Sequence, residues 1–219
     1  MQTPPTPVAM PAVWPVGYNN AQNNLTSLLE DGDHRKESWI GDVLTMFIHG
    51  FPVSTENYVI QTKCNLRQAR TAHVGEHQNP GSEDKSQPTV QARRDGNGEQ
   101  GQLKPDLVIN HGTRDSPKLV AVVEMKGTAT LTQEDRDQFA RYCTRITEYA
   151  PHVTEGTSVM LIKGGEAYAW NRQQVEGIAA RTELTDQALG EAQFANVNTV
   201  AFVQMLAAVR NRFCLSFTN

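Results

Sequence analysis

The chain has 219 residues, enough for one domain with a full hydrophobic core, and a net charge of −4 that excludes a uniformly basic nucleic-acid coat. A local basic patch remains compatible with that balance, because a polyanion responds to the field it meets rather than to net charge. Three cysteines, Cys64, Cys143 and Cys214, are far apart and form no C-x-x-C pair. That spacing excludes a zinc knuckle or a disulfide framework and points to reduced, buried thiols.

Neither a membrane-length apolar run nor a secretory signal pattern is visible, so an intracellular location, cytoplasm or nucleus, is expected. Residues 1–24 are rich in Pro, Asn, Gln and Thr, with prolines at 4, 5, 7, 11 and 15. They read as a flexible arm without helix, able to drape over the domain through Val13, Trp14 and Tyr18. Residues 25–219 read as a single domain. From 25 to 51 the pattern turns helical: Trp39, Ile40, Val43, Leu44, Phe47 and Ile48 recur at three- and four-residue steps. Gly50 and Pro52 stop it, and a strand follows at 58–64.

Residues 71–102 form a long polar insertion with scattered apolar positions. Arg93 and Arg94 within it read as solvated charges or as phosphate contacts. The same segment spells His73-Val-Gly-Glu-His77, the H-x-x-E-H pattern of inverted zinc peptidases. Gly75 lies inside that pattern and Asn79-Pro80-Gly81 follows at once, so the helix such a site needs is not supported. His111 reads as a loop histidine, and otherwise as a group beside the site.

Strands are predicted at 104–110 and 118–125, a helix at 133–149, strands at 157–162 and 167–171 around a Lys163-Gly164-Gly165 turn, a polar helical stretch at 174–190, and a last helix at 199–212. The order indicates an α/β (α+β) fold with a central mixed β-sheet flanked by helices. The apolar side of the last helix reads equally as core and as an interface for a homodimer.

The chemistry concentrates in Lys104-Pro-Asp-Leu-Val-Ile109 and Val122-Val-Glu-Met-Lys126. Residues two apart on a strand share a face, so Glu124 and Lys126 project together, and Asp106 joins them if the two strands pair. Two carboxylates and an ammonium suit a divalent-metal site beside a phosphodiester, with Asp106 and Glu124 as oxygen ligands. The Met125 carbonyl, between Glu124 and Lys126, is a further candidate ligand. Gln138 and Tyr142 are four apart and share one helix face, and Arg141 and Arg145 form a second such pair suited to phosphate. Lys163 is a weaker phosphate candidate.

Pro105-Asp106, seventeen intervening residues and Glu124-x-Lys126 resemble the signature of the PD-(D/E)XK nuclease superfamily. Lys36-Glu-Ser-Trp-Ile40 before it and Gln138-Phe-Ala-Arg-Tyr142 after it strengthen the resemblance, the latter being similar to the Gln-x-x-x-Tyr element of the RecB-like branch. Together these cover about residues 30–170, and nuclease-like domains of fungal proteins are the nearest match in kind. The resemblance implies a restriction-endonuclease-like core and a Mg²⁺- or Mn²⁺-dependent endo- or exonuclease that leaves a 5′-phosphate. It implies DNA rather than RNA as the favoured substrate. It also implies that a helix glutamate completes the metal site, Glu37 first, with Asp42 and Glu30 as rivals. Lys126 then orients or deprotonates the attacking water, or stabilises charge on the phosphorane, and Gln138 with Tyr142 supports the site and contacts nucleic acid. The alternative is a catalytically inert module of the same fold that binds nucleic acid or a protein partner.

Overall fold

The computed structural model describes residues 16–32, 36–53, 56–63, 104–113, 116–127, 130–148 and 152–216. The polar insertion, with Arg93, Arg94, His73 and His77, lies outside the described residues, as do Val13 and Trp14.

The first described element is a helix, α1 (Val16–Glu30), and α2 (Lys36–Gly50) follows it. The expected helix-free arm through residue 24 is therefore corrected from residue 16 onward. Tyr18, Ala21 and Leu25 are buried and give α1 an apolar stripe at helical spacing. The continuous helix expected over 25–51 is also corrected: it divides at Gly32, whose φ of 73° is a left-handed conformation that glycine adopts without a Cβ penalty.

Among the described residues, six strands form one sheet in chain order: β1 (Tyr58–Thr62), β2 (Leu107–His111), β3 (Lys118–Lys126), β4 (Val153–Lys163), β5 (Glu166–Trp170) and β6 (Gln193–Asn196). β1, β2 and β3 make an antiparallel meander. β3 and β4 are parallel, joined through α3 (Gln133–Thr147), and β4, β5 and β6 are again antiparallel. The sheet is thus mixed, with helices on both faces, as the order of predicted elements indicated. Gly164 and Gly165, with φ of 53° and 90°, make the two-residue turn between β4 and β5, where positive φ at both positions matches the twist of the strands. The strand β6 was not foreseen, and the polar stretch at 174–190 divides into α4 (Arg172–Arg181) and α5 (Asp186–Gly190).

Alternation along β2 and β3 divides the core into two layers. Leu107, Ile109, Val123 and Met125 point into a cluster with Trp39, Val43 and Phe47 of α2 and with Phe202, Leu206 and Phe213 of α6 (Val200–Leu215). Val108 and Val122 point the other way, against Phe139, Tyr142 and Ile146 of α3 and Val175 of α4. β3 is covered on both sides, which is why its sequence is a continuous apolar run rather than an alternating one. The apolar side of α6 belongs to this core, so core packing accounts for it without a second subunit. Among the described residues, no helix is long and apolar enough to cross a membrane.

Candidate active site

The polar end of the second layer begins at Asp106. In the antiparallel register Leu107 faces Val123, so one further step sets Asp106 opposite Glu124. Residues directly opposite in such a pair point to the same face, here that of Val108 and Val122. The backbone N–H of Met125 donates to Asp106 Oδ2 at 2.7 Å, and the Asp106 carbonyl accepts from the N–H of Lys63 at 3.0 Å. Asp106 is therefore tied to both neighbouring strands. Asp106 and Glu124 are each only 4% exposed, a costly setting for carboxylates that have no countercharge.

The countercharge is Lys126. Its Nζ lies 3.2 Å from Glu124 Oε1, 2.8 Å from Asp135 Oδ1 and 2.7 Å from Gln138 Oε1. The backbone is also held, because the Lys126 carbonyl accepts from the N–H of Gly164 at 3.1 Å. Burial by itself lowers the Lys126 pKa, but the Asp135 hydrogen bond and the Glu124 charge outweigh it and the net shift is upward. A lowered pKa, one of the routes by which Lys126 could act as a base, is thus not what the protein groups alone produce.

Gln138 relays this contact into the helix. Its Nε2 donates to the Tyr142 hydroxyl at 3.0 Å, as expected for residues one turn apart. Tyr142 is buried in the α3 layer, so it reaches the site through its hydroxyl rather than by presenting a ring face outward. Burial raises its pKa, and the negative charge of Glu124 raises it further.

The sequence reading missed Asp135. Thr132 caps α3, its side chain accepting from the Asp135 N–H at 3.2 Å, while Asp135 Oδ2 accepts from the Thr132 N–H at 3.0 Å. The capping-box signature, a threonine followed three residues later by an acid, was present in the sequence. What it could not reveal was that the other oxygen of that acid meets Lys126.

Other expected site residues are dispersed. Arg141 is exposed on α3, and Arg145 pairs with Glu148 at 3.3 Å. Lys163 is the register partner of Lys126 but engages Glu166 at 2.5 Å and lies 5.1 Å above the Tyr168 ring. Glu37 lies in the first turn of α2, and its side chain is outside the described residues. α2 packs on the opposite face of the sheet from Asp106, Glu124 and Lys126. Asp42 has Asn24 of α1 as its hydrogen-bond neighbour, and Glu30 is exposed at the end of α1. His111 is neither a loop residue nor beside the site. It ends β2 at the far end from Asp106, buried between Tyr58 and Phe213. Among the described residues, no group of three or more His, Cys, Asp or Glu side chains is arranged to hold a metal ion.

Comparison with protein-family models, with curated proteins and with solved structures returns no match.

Proposed function

We propose that the chain is a metal-dependent nuclease that hydrolyses phosphodiester bonds, with DNA favoured over RNA. The observation that carries this reading is the convergence of Asp106, Glu124 and Lys126 at the ends of two paired strands, joined there by Gln138 from the following helix. Two buried carboxylates on one face repel each other, and a hard cation offsets that repulsion. The all-oxygen donor set fits Mg²⁺ or Mn²⁺. Asp106 and Glu124 would hold the ion, with the Met125 carbonyl as a third ligand. When bound, such an ion polarises a phosphoryl oxygen and makes nearby water more acidic.

The chain's own groups supply the rest. Lys126 places an ammonium beside the carboxylates, where it can stabilise negative charge on a phosphoryl group under attack. Gln138 and Asp135 fix that ammonium from the α3 side. Asp106, anchored to the Met125 N–H, keeps its carboxylate oriented before any ligand arrives.

A second reading, an inert module that binds nucleic acid or protein, is favoured by one observation: protein groups already surround the Lys126 ammonium. Cleavage of single-stranded DNA, double-stranded DNA and RNA, with Mn²⁺ and with EDTA, separates the two. The nuclease reading expects metal-dependent cutting that is lost in Glu124→Ala, and a loss of roughly 10²–10⁴-fold in Lys126→Ala, with the Mn²⁺-dependent rise in Tm retained in the lysine variant. Unchanged cutting in Lys126→Ala would sink it. A folded wild type whose Tm ignores Mn²⁺ and which cuts none of the three substrates supports the inert module.

A further inference from the structure

We infer that Asp135, in the first turn of α3, is a positioning residue for Lys126. The inference rests on the nuclease reading above and assigns a role to a residue outside its signature.

The geometry is specific. Asp135 uses both carboxylate oxygens, Oδ1 on Lys126 Nζ at 2.8 Å and Oδ2 on the Thr132 N–H at 3.0 Å and hydroxyl at 2.8 Å. Its own N–H donates back to Thr132 Oγ1 at 3.2 Å. The carboxylate is therefore immobilised by the first turn of a helix before it touches the lysine.

A lysine ammonium has three donors on a flexible four-carbon stem, and free rotation costs it a defined position. Here three acceptors meet it: Glu124, Asp135 and Gln138. The two shorter contacts both come from α3, and the longest, at 3.2 Å, is to Glu124, the proposed metal ligand. Asp135 and Gln138 can thus keep the ammonium in register when its contact with Glu124 is exchanged for a substrate oxygen. An ordinary capping acid needs none of this, since its cap is complete without the lysine.

The test compares wild type, Asp135→Asn and Thr132→Ala in Mn²⁺-dependent cleavage of a DNA oligonucleotide, with Tm measured on each protein. Thr132→Ala removes the capping hydroxyl but keeps the backbone N–H of residue 132 on Asp135 Oδ2 and the carboxylate on Lys126, whereas Asp135→Asn removes the charge and leaves an oxygen for the cap. Positioning predicts that Asp135→Asn lowers kcat by about ten-fold or more with KM within about two-fold, because the lost contact aligns a group that acts in the transition state. Thr132→Ala then lowers Tm while its kcat stays within about two-fold of wild type. A wild-type kcat in Asp135→Asn overturns the inference, and so does an equal loss of kcat in both variants. These failures leave wild-type cleavage intact, whereas a wild type that cuts nothing removes the nuclease reading itself.

Discussion

Asp106 Oδ2 accepts the Met125 N–H at 2.7 Å, so the carboxylate that precedes β2 is fastened to the strand that presents Glu124 and Lys126. This bond is both structural and preparatory. Asp106→Ala leaves a buried N–H without its acceptor and should cost about 1.5–3 kcal/mol, the range for a hydrogen bond to a charged group. Asp106→Asn keeps an acceptor oxygen and should cost less. Both variants should lose the Mn²⁺-dependent rise in Tm. Urea unfolding checks the first statement and thermal melts with and without Mn²⁺ the second, and equal destabilisation by Asn and Ala would show that charge, not the acceptor, is what the fold uses.

Lys126, Gln138 and Tyr142 form a chain in which Gln138, and not Tyr142, touches the lysine. Gln138→Ala should therefore reduce cleavage more than Tyr142→Phe. Tyr142→Phe removes a hydroxyl that accepts from Gln138 and also hydrogen-bonds the Glu124 carboxylate, and should cost about 1.5–3 kcal/mol of stability. Measured rates in the reverse order would mean that the Tyr142 hydroxyl acts through Glu124, whose charge it also feels.

Gly156 in β4 lies where α6 crosses the sheet. A Cβ there would sit 2.4 Å from Phe213 Cα and 2.7 Å from the Arg212 carbonyl, both backbone atoms that cannot rotate away. Gly156→Ala should push β4 and α6 apart at a cost of about 1–3 kcal/mol or more. The residue is at the opposite end of β4 from Lys163, so Mn²⁺-dependent behaviour should persist at low temperature. A Tm equal to wild type would contradict this close approach.

His111 is buried, and burial lowers its pKa below the ordinary value of 6.5 against the opposing pull of Glu56. The unfolded chain then binds the proton more readily than the folded one. The resulting stability is present above 6.5 and is lost as pH falls from there through the folded pKa. Urea midpoints at pH about 7.5 and about 5.5 should diverge more in wild type than in His111→Phe, because the variant has no imidazole to protonate. Equal pH dependence in both proteins would place the acid sensitivity elsewhere.

Much of this chain was legible before its structure. Glu124 and Lys126 on one face, the helix carrying Gln138 and Tyr142, and the glycine pair after β4 are local patterns, set by the two-residue period of a strand, the turn of a helix and positive φ. The alternation of β2 and β3 also made Asp106 a neighbour of Glu124 once those strands were paired. The start of α1 was obscured because prolines and asparagines dominate its surroundings, and burial of Tyr18, Ala21 and Leu25 overrides their weak local preference. β6 was hidden because four residues with one buried position carry no readable period; its place comes from pairing with β5. The tertiary structure alone decided that Asp135 would meet Lys126 and that Tyr142 would be buried. Those relationships depend on the parallel crossover from β3 through α3 to β4, which brings a helix terminus over a strand end. Sequence periodicity determines which face a side chain takes, whereas the packing of separate elements determines what it meets there.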